Sequence, residues 1–167
     1  MAQDVHLNVL LPRDRDTPGW LRVDVDGVPR AEFRVLGRGS TKVGGIPTGN
    51  PKRSPIAYAG NTPTGSYESP GIVSTADWPQ DSYGPWGAVK LKAVEGDALL
   101  AERLGRTGLM IHGGARGPFH GYRSTLGCLR LNNFDMKQLT DLLFTAGEDP
   151  QRRRSDEISV RVTVCQL

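Results

Sequence analysis

Cysteine and histidine are scarce in this chain, and the scarcity narrows its chemistry. The 167 residues hold 2 cysteines and 3 histidines, too few for a disulfide framework or a zinc site. A bridge between Cys128 and Cys165 would need an oxidising compartment. Long apolar runs are missing as well. No stretch approaches the roughly 18 residues of a membrane span, so no membrane-spanning segment is expected. The opening residues, Met1-Ala2-Gln3-Asp4-Val5-His6, lack both the basic start and the apolar stretch of a secretory signal. The chain therefore reads as soluble, either a trimmed domain or a protein exported by another route.

Charge of one sign is not in excess. A net charge of +3 is too weak to argue for nucleic acid or a membrane surface. The longest basic run, Arg152-Arg153-Arg154, is flanked by Asp149, Asp156 and Glu157. No aromatic residues interleave with it as a nucleic-acid platform requires, and it reads as a solvated loop. No metal, cofactor or nucleic-acid partner is expected, and the chain reads as a monomer.

Turn formers are abundant, with 21 glycines and 12 prolines against an apolar fraction of 37%. That balance favours a mainly β fold of short strands and long loops in one domain, residues 1–167. A domain of this size buries roughly 70% of its unfolded surface and holds together without metal or disulfide. Val5, Leu7 and Val9 alternate with polar His6 and Asn8, a strand with one buried face. Leu21, Val23 and Val25, then Ala31, Phe33 and Val35, repeat the pattern around the turn signal of residues 26–30, predicting a hairpin. Residues 37–62 read as a long surface loop, with shorter strands at 64–68 and 87–92. Asp97 is placed to cap a short helix ending near Gly105. Met110 to His112 reads as a buried strand. Asn132 or Asn133 is placed to cap the strongest helix, with Asp135 in its first turn and Gly147 at its stop. Met136, Leu139, Leu143 and Ala146 line one face of it. Ile158, Val160, Val162 and Val164 form a last strand, on whose opposite face Cys165 is expected in a packing role.

The chemistry concentrates in two short stretches, Met110-Ile111-His112-Gly113-Gly114 and Ser124-Thr125-Leu126-Gly127-Cys128-Leu129-Arg130-Leu131. A thiol needs a nearby base to act as a nucleophile near neutral pH, and histidine is the usual one. Histidine before cysteine argues against papain-like folds, where the order is reversed. An isolated pair of this kind is most simply a packed thiol and a satisfied core histidine. The glycines change that reading: Gly113-Gly114 leaves room for a ligand, and Gly127 lets consecutive N–H groups face a developing oxyanion. Arg130 can pair with a carboxylate or hold the local backbone. His120 is the rival base, in a loop whose Tyr122 and Arg123 are candidate substrate contacts. Trp78 and Trp86 either line a cleft or pack a turn.

These residues resemble the catalytic domain of the L,D-transpeptidase (YkuD-like) family. The resemblance rests on His112-Gly113 and on the Ser/Thr-x-Gly-Cys-aliphatic-Arg-Leu pattern ending at Leu131. Thr62-Pro63-Thr64-Gly65-Ser66-Tyr67 looks like the family's Thr-Pro-x-Gly-aromatic segment, and Tyr83-Gly84-Pro85-Trp86 like its aromatic turn. The likeness implies a YkuD-like mixed β-sandwich or barrel with one or two short helices. It implies Cys128 as nucleophile, His112 as base and the Gly113 carbonyl as the group that orients the imidazole. Thr125, Gly127 and Cys128 would shape the oxyanion hole, with Arg130, His120 and Tyr122 near the substrate. The substrate would be a peptidoglycan stem peptide, attacked at its L,D amide and then transferred to an amine or to water, in the periplasm or cell wall. The chain departs from the family at Leu126, where histidine is common, at Gly114, where threonine is common, and in the longer 37–62 stretch. Three other readings stay open: a sortase-like transpeptidase, a non-catalytic wall-binding module, and a toxin. The toxin reading would add a secretion machine and an immunity protein as partners.

Overall fold

A computed structural model describes residues 3–39, 42–43, 46–47, 56–57, 59–143 and 158–167. The predicted alternating segments assemble into one large sheet. β1 (Gln3–Leu11) runs parallel to β12 (Ile158–Gln166) and antiparallel to β2 (Gly19–Val25). The register sets Val5 against Val160, Leu7 against Val162 and Val9 against Val164. One face of the pair is therefore a continuous apolar row, and all six of these side chains are buried. On the other face His6 Nε2 meets Thr163 Oγ1 at 2.8 Å. Cys165 lies on that outer side and is exposed, so the packing role expected for it is not what the fold provides; both cysteines are free thiols.

β2 pairs with β3 (Val28–Val35) through a two-residue turn, Asp26-Gly27, with φ of 50° and 78°. Two left-handed residues match the twist of a tight hairpin, which is why glycine follows aspartate there. Val28, Pro29 and Arg30, read above as turn, already belong to the strand. Pro29 is tolerated because β3 is the sheet edge. The order of the sheet is β3-β2-β1-β12, followed by β6 (Gly65–Glu68) and β9 (Lys92–Glu95).

A second sheet carries the shorter strands in the order β11 (Leu129–Arg130), β10 (Met110–His112), β8 (Ala88–Lys90) and β7 (Ile72–Val73). The stretch 87–92, expected as one strand, in fact changes sheets at Leu91, with β8 in the small sheet and β9 in the large one. The 37–62 stretch, read as loop throughout, contains a small ladder of β4 (Lys42–Val43) and β5 (Ile46–Pro47). Val89, Ile111 and Leu129 point from the small sheet into the same core as Leu7 and Val162. The two sheets are stitched where Leu36, just past β3, exchanges both backbone hydrogen bonds with Arg130, each at 2.9 Å.

Three helices are described. α1 (Gln80–Tyr83) was not foreseen; it is a single turn begun by Pro79, too short to show a helical period. α2 (Asp97–Arg103) starts at Gly96 and not at an Asp97 cap, since Gly96 takes a left-handed φ of 77° and Asp97 falls in the first turn. It ends before Gly105, as expected. α3 (Asn133–Leu143) buries Met136, Leu139 and Leu143 on the core. Asn132 is its cap, its Oδ1 accepting from the Asp135 N–H at 2.7 Å while its Nδ2 donates to Asp135 Oδ2 at 3.1 Å. Ala146, Gly147 and the Arg152-Arg153-Arg154 run lie outside the described residues. Among those described, no helix is long and apolar enough to cross a membrane.

Candidate active site

The parallel pairing of β10 with β11 explains why a histidine and a cysteine far apart in sequence share a surface. Ile111 lies opposite Leu129 and His112 opposite Arg130. Side chains alternate along a strand, and Ile111 and Leu129 are turned wholly into the core. Met110, His112, Cys128 and Arg130 therefore project from the other face. That face opens into a cleft of about 400 Å³ lined by all four.

His112 is only 3% exposed. Its Nδ1 lies 2.7 Å from the Gly113 carbonyl oxygen. A carbonyl can only accept, so Nδ1 carries the proton and Nε2 keeps its lone pair. Burial pulls the imidazole pKa down to about 4, helped by the charge of Arg130 and opposed by the Gly113 hydrogen bond. The ring is thus neutral at pH 7. Tyr83 packs on it with centroids 4.9 Å apart, and Trp78 packs edge-on against Tyr83, also at 4.9 Å. Neither tryptophan lines the cleft; Trp86 lies under the Lys137 ammonium, 5.3 Å away.

Cys128 is 9% exposed. Burial pushes its thiol pKa up, while a hydrogen bond from the Met110 backbone and the charges of Arg106 and Arg130 pull it down. The loop before it is closed by side chain to backbone bonds. Thr125 Oγ1 accepts from the Gly127 N–H at 2.9 Å and donates to the Cys128 carbonyl at 2.9 Å. The Gly127 N–H, expected to face an oxyanion, is therefore already taken, and Thr125 is a brace. Gly127 must be glycine for a different reason: its φ is 115°, and a Cβ there would overlap the Arg106 guanidinium.

Arg130, 2% exposed, donates to the carbonyls of Ser82 at 2.9 Å, Asp81 at 3.0 Å and Ala115 at 3.1 Å. Of its two expected roles, bracing is the one these contacts display. Arg106 was not singled out from the sequence. It reaches the carbonyls of Asn61 and Gly60, both at 3.0 Å, and of Leu126 at 3.2 Å. These partners are remote in the chain, and no local pattern marks them. The Gly60–Tyr67 segment lies beneath the Cys128 loop, with Thr62 Oγ1 donating to the Gly127 carbonyl at 2.7 Å and Tyr67 Oη to Pro63 at 2.7 Å.

Two expected substrate contacts fall elsewhere. His120 and Gly121, with φ of 53° and 93°, form the tip of a tight turn closed by Phe119 and Tyr122. His120 is exposed there and does not line the cleft. Tyr122 is buried against the start of α3, hydrogen-bonded by Asn132. Arg123 does line the cleft, its Nη1 donating to Asp81 O at 3.2 Å. Leu126 lines the rim and is 57% exposed. Among the described residues no acidic side chain lines the cleft, and no three His, Cys, Asp or Glu side chains gather as a metal site requires.

A family model described as the L,D-transpeptidase catalytic domain, YkuD, matches residues 21–147, a span that includes His112 and Cys128. Among solved structures the chain is similar to Bdellovibrio bacteriovorus Bd1075, at 18% identity and a TM-score of 0.53, covering 96% of this chain and 47% of that one. It thus spans about half the length of that protein, and at this identity the likeness is one of fold. Mycobacterium tuberculosis L,D-transpeptidase 1 is more distant, at 11% identity and a TM-score of 0.42, covering 96% of this chain and 62% of that one. No curated protein sequence matches.

Proposed function

The chain belongs to the L,D-transpeptidase catalytic domain family, and from that premise we propose that it is a cysteine acyltransferase acting on peptidoglycan stem peptides. The observation that carries this reading is the pair on one face of β10 and β11: a buried thiol, and a neutral imidazole whose Nδ1–H is held by Gly113. Nε2 is left as the base. Three arginines, Arg106, Arg123 and Arg130, surround the cleft, which suits a substrate bearing carboxylates.

In the reaction, Nε2 of His112 takes the Cys128 proton as the sulfur bonds to the carbonyl carbon of the L,D amide. The resulting oxyanion would be met by the Cys128 N–H, given that the Gly127 N–H is engaged by Thr125. The C–N bond then breaks, and the departing D-amino acid nitrogen takes the proton back from His112. A thioester remains on Cys128. An amine or a water attacks it, His112 accepts the proton of the attacking group, and the returning thiol is reprotonated. Burial serves both halves: it keeps the imidazole neutral at rest and makes the transient imidazolium a willing acid toward the leaving amine.

The test is to incubate the protein with tetrapeptide-stem muropeptides under reducing conditions and look by mass spectrometry for product and thioester. Both are expected from the wild type, and neither from Cys128→Ala at unchanged thermal stability. Turnover by Cys128→Ala, or no product from the wild type, would overturn the assignment. The site of action proposed is the periplasm or cell wall. Growth arrest on directing the chain to the periplasm, with none in the cytoplasm, would mark a delivered toxin and not a housekeeping enzyme.

A further inference from the structure

We propose that Asn133 is a positioning residue that orients His112 through the Gly113–Gly114 peptide group. This rests on the reading of His112 as the base. The Gly113 carbonyl and the Gly114 N–H are the two ends of one planar peptide unit. One end accepts the His112 Nδ1–H at 2.7 Å, and the other donates to Asn133 Oδ1 at 2.7 Å. A trans peptide points these two bonds in opposite directions, so fixing the N–H end fixes the carbonyl that holds the imidazole.

This peptide needs an external clamp. It is flanked by glycine on both sides, and no Cβ resists its rotation. The glycines are themselves required, because a Cβ on Gly113 would come within 2.5 Å of Asn133 Oδ1 and one on Gly114 would overlap the Arg130 guanidinium. The next residue is held by other groups: the Ala115 N–H donates to Asp81 O at 2.9 Å, and its carbonyl accepts from Arg130. Asn133 is also firmly presented. It opens α3, whose cap is made by its neighbour Asn132, and Met136 one turn on is fully buried. The two adjacent asparagines thus divide the work, one capping the start of the helix and the other reaching into the His112 turn.

The link is electronic as well as steric. An N–H that donates polarises its own carbonyl and makes it a better acceptor. Asn133 thereby strengthens the Gly113 bond that holds the Nδ1–H tautomer and opposes the effect of burial on His112. It touches no reacting atom.

The experiment compares wild type, Asn133→Ala and Asn133→Asp by turnover and by ¹⁵N NMR of the His112 imidazole. Asn133→Ala is expected to lower kcat about 10- to 100-fold with KM little changed. It should also mix the two neutral tautomers and lower the His112 titration midpoint. Asn133→Asp keeps an acceptor oxygen and adds charge, so it should recover most of kcat and raise the midpoint above wild type. An Asn133→Ala protein with a pure Nδ1–H tautomer, an unmoved midpoint and wild-type kcat would overturn the proposal, even if its Tm dropped. Should Asn133→Ala fail to fold, an unmoved midpoint in Asn133→Asp would overturn it equally. Full activity in His112→Ala would defeat the base reading alone, since the NMR readout does not depend on turnover.

Discussion

In the large sheet, β1 and β12 run nine residues each and pair along their whole length; in the small sheet no strand exceeds three residues. The long strands are held by apolar alternation, with Leu7 and Val162 facing each other at zero exposure. The short ones each bury at most one or two side chains that way. The segments that surround them are gripped by buried guanidinium groups: Arg130 and Arg106 each donate to three carbonyls. Arg15 does the same where the sheets meet, donating to Gly37 and Thr62, both at 3.0 Å, and to Gln166 Oε1 at 2.9 Å. The half of the molecule that carries the candidate site is therefore fixed by polar bonds around its loops as well as by the burial of Val89, Ile111 and Leu129, and the half that supports it chiefly by burial. A carbonyl partner cancels no charge, so Arg130 both braces the cleft and makes it more positive.

The sharpest way to break that contrast is to damage each half separately. Leu7→Ala should remove about 2–5 kcal/mol of stability through the cavity it leaves, with kcat and KM of the folded protein unchanged. Arg130→Met should cost about 2–3 kcal/mol, because the Ser82 and Ala115 carbonyls lose the Arg130 donor while Asp81 O keeps the Ala115 N–H and Arg123, and should also cut kcat by at least about 100-fold as the His112 turn loosens. Denaturant melts and steady-state kinetics on both variants decide it. Equal kinetic damage from Leu7→Ala would show that the two halves are not independent.

The same contrast explains what could be read from the chain before its fold was known. The alternation of β1, β2, β3 and β12 was legible because each carries at least three apolar residues at every second position. α3 was legible through its asparagine cap and apolar stripe. Strands of two residues carry no period, so β7 and the crossing at Leu91 were not. In the site, His112 and Cys128 were legible as candidates because their glycine neighbours are local. Arg106, Tyr83 and Asn133 were not, since each acts on groups distant in the chain. Nearness in sequence misled at His120 and Tyr122, where the tight 119–122 turn carries both side chains out of the cleft.

The buried histidine gives a smaller effect that is visible in pH. Its pKa near 4 lies below the ordinary 6.5, so the unfolded state takes up the proton first. The stability it contributes is complete above pH 6.5 and is lost as pH falls toward 4, to a total of about 3 kcal/mol. His112→Gln should lose that slope, and the difference between the two stability curves measures it. Activity should rise with pH through about 4 and then stay flat from about pH 5 to about pH 8, since catalysis needs only the neutral imidazole and the thiol. A rate that instead climbs through pH 6.5 would mean that His112 is far more exposed to water than its place behind Tyr83 allows.

The smallest expected effect separates the arginine that lies at the rim from those that grip the backbone. Arg123 is half-buried, lines the cleft and donates to Asp81 O at 3.2 Å, the longest of the bonds that Arg123 and Arg130 make to that carbonyl and its neighbours. It can swing to a substrate carboxylate without orphaning a buried carbonyl, whereas Arg130 cannot. An ion pair this exposed contributes about 0–1 kcal/mol, so Arg123→Gln should raise KM by about two- to five-fold and leave kcat and Tm alone. The wild-type KM should climb with added salt, and that of the variant should climb less. A stem peptide with its carboxylates amidated should bind both proteins alike. If Arg123→Gln instead lowers kcat at constant KM, Arg123 belongs with Arg130 among the braces, and the positive cleft selects its substrate by field alone.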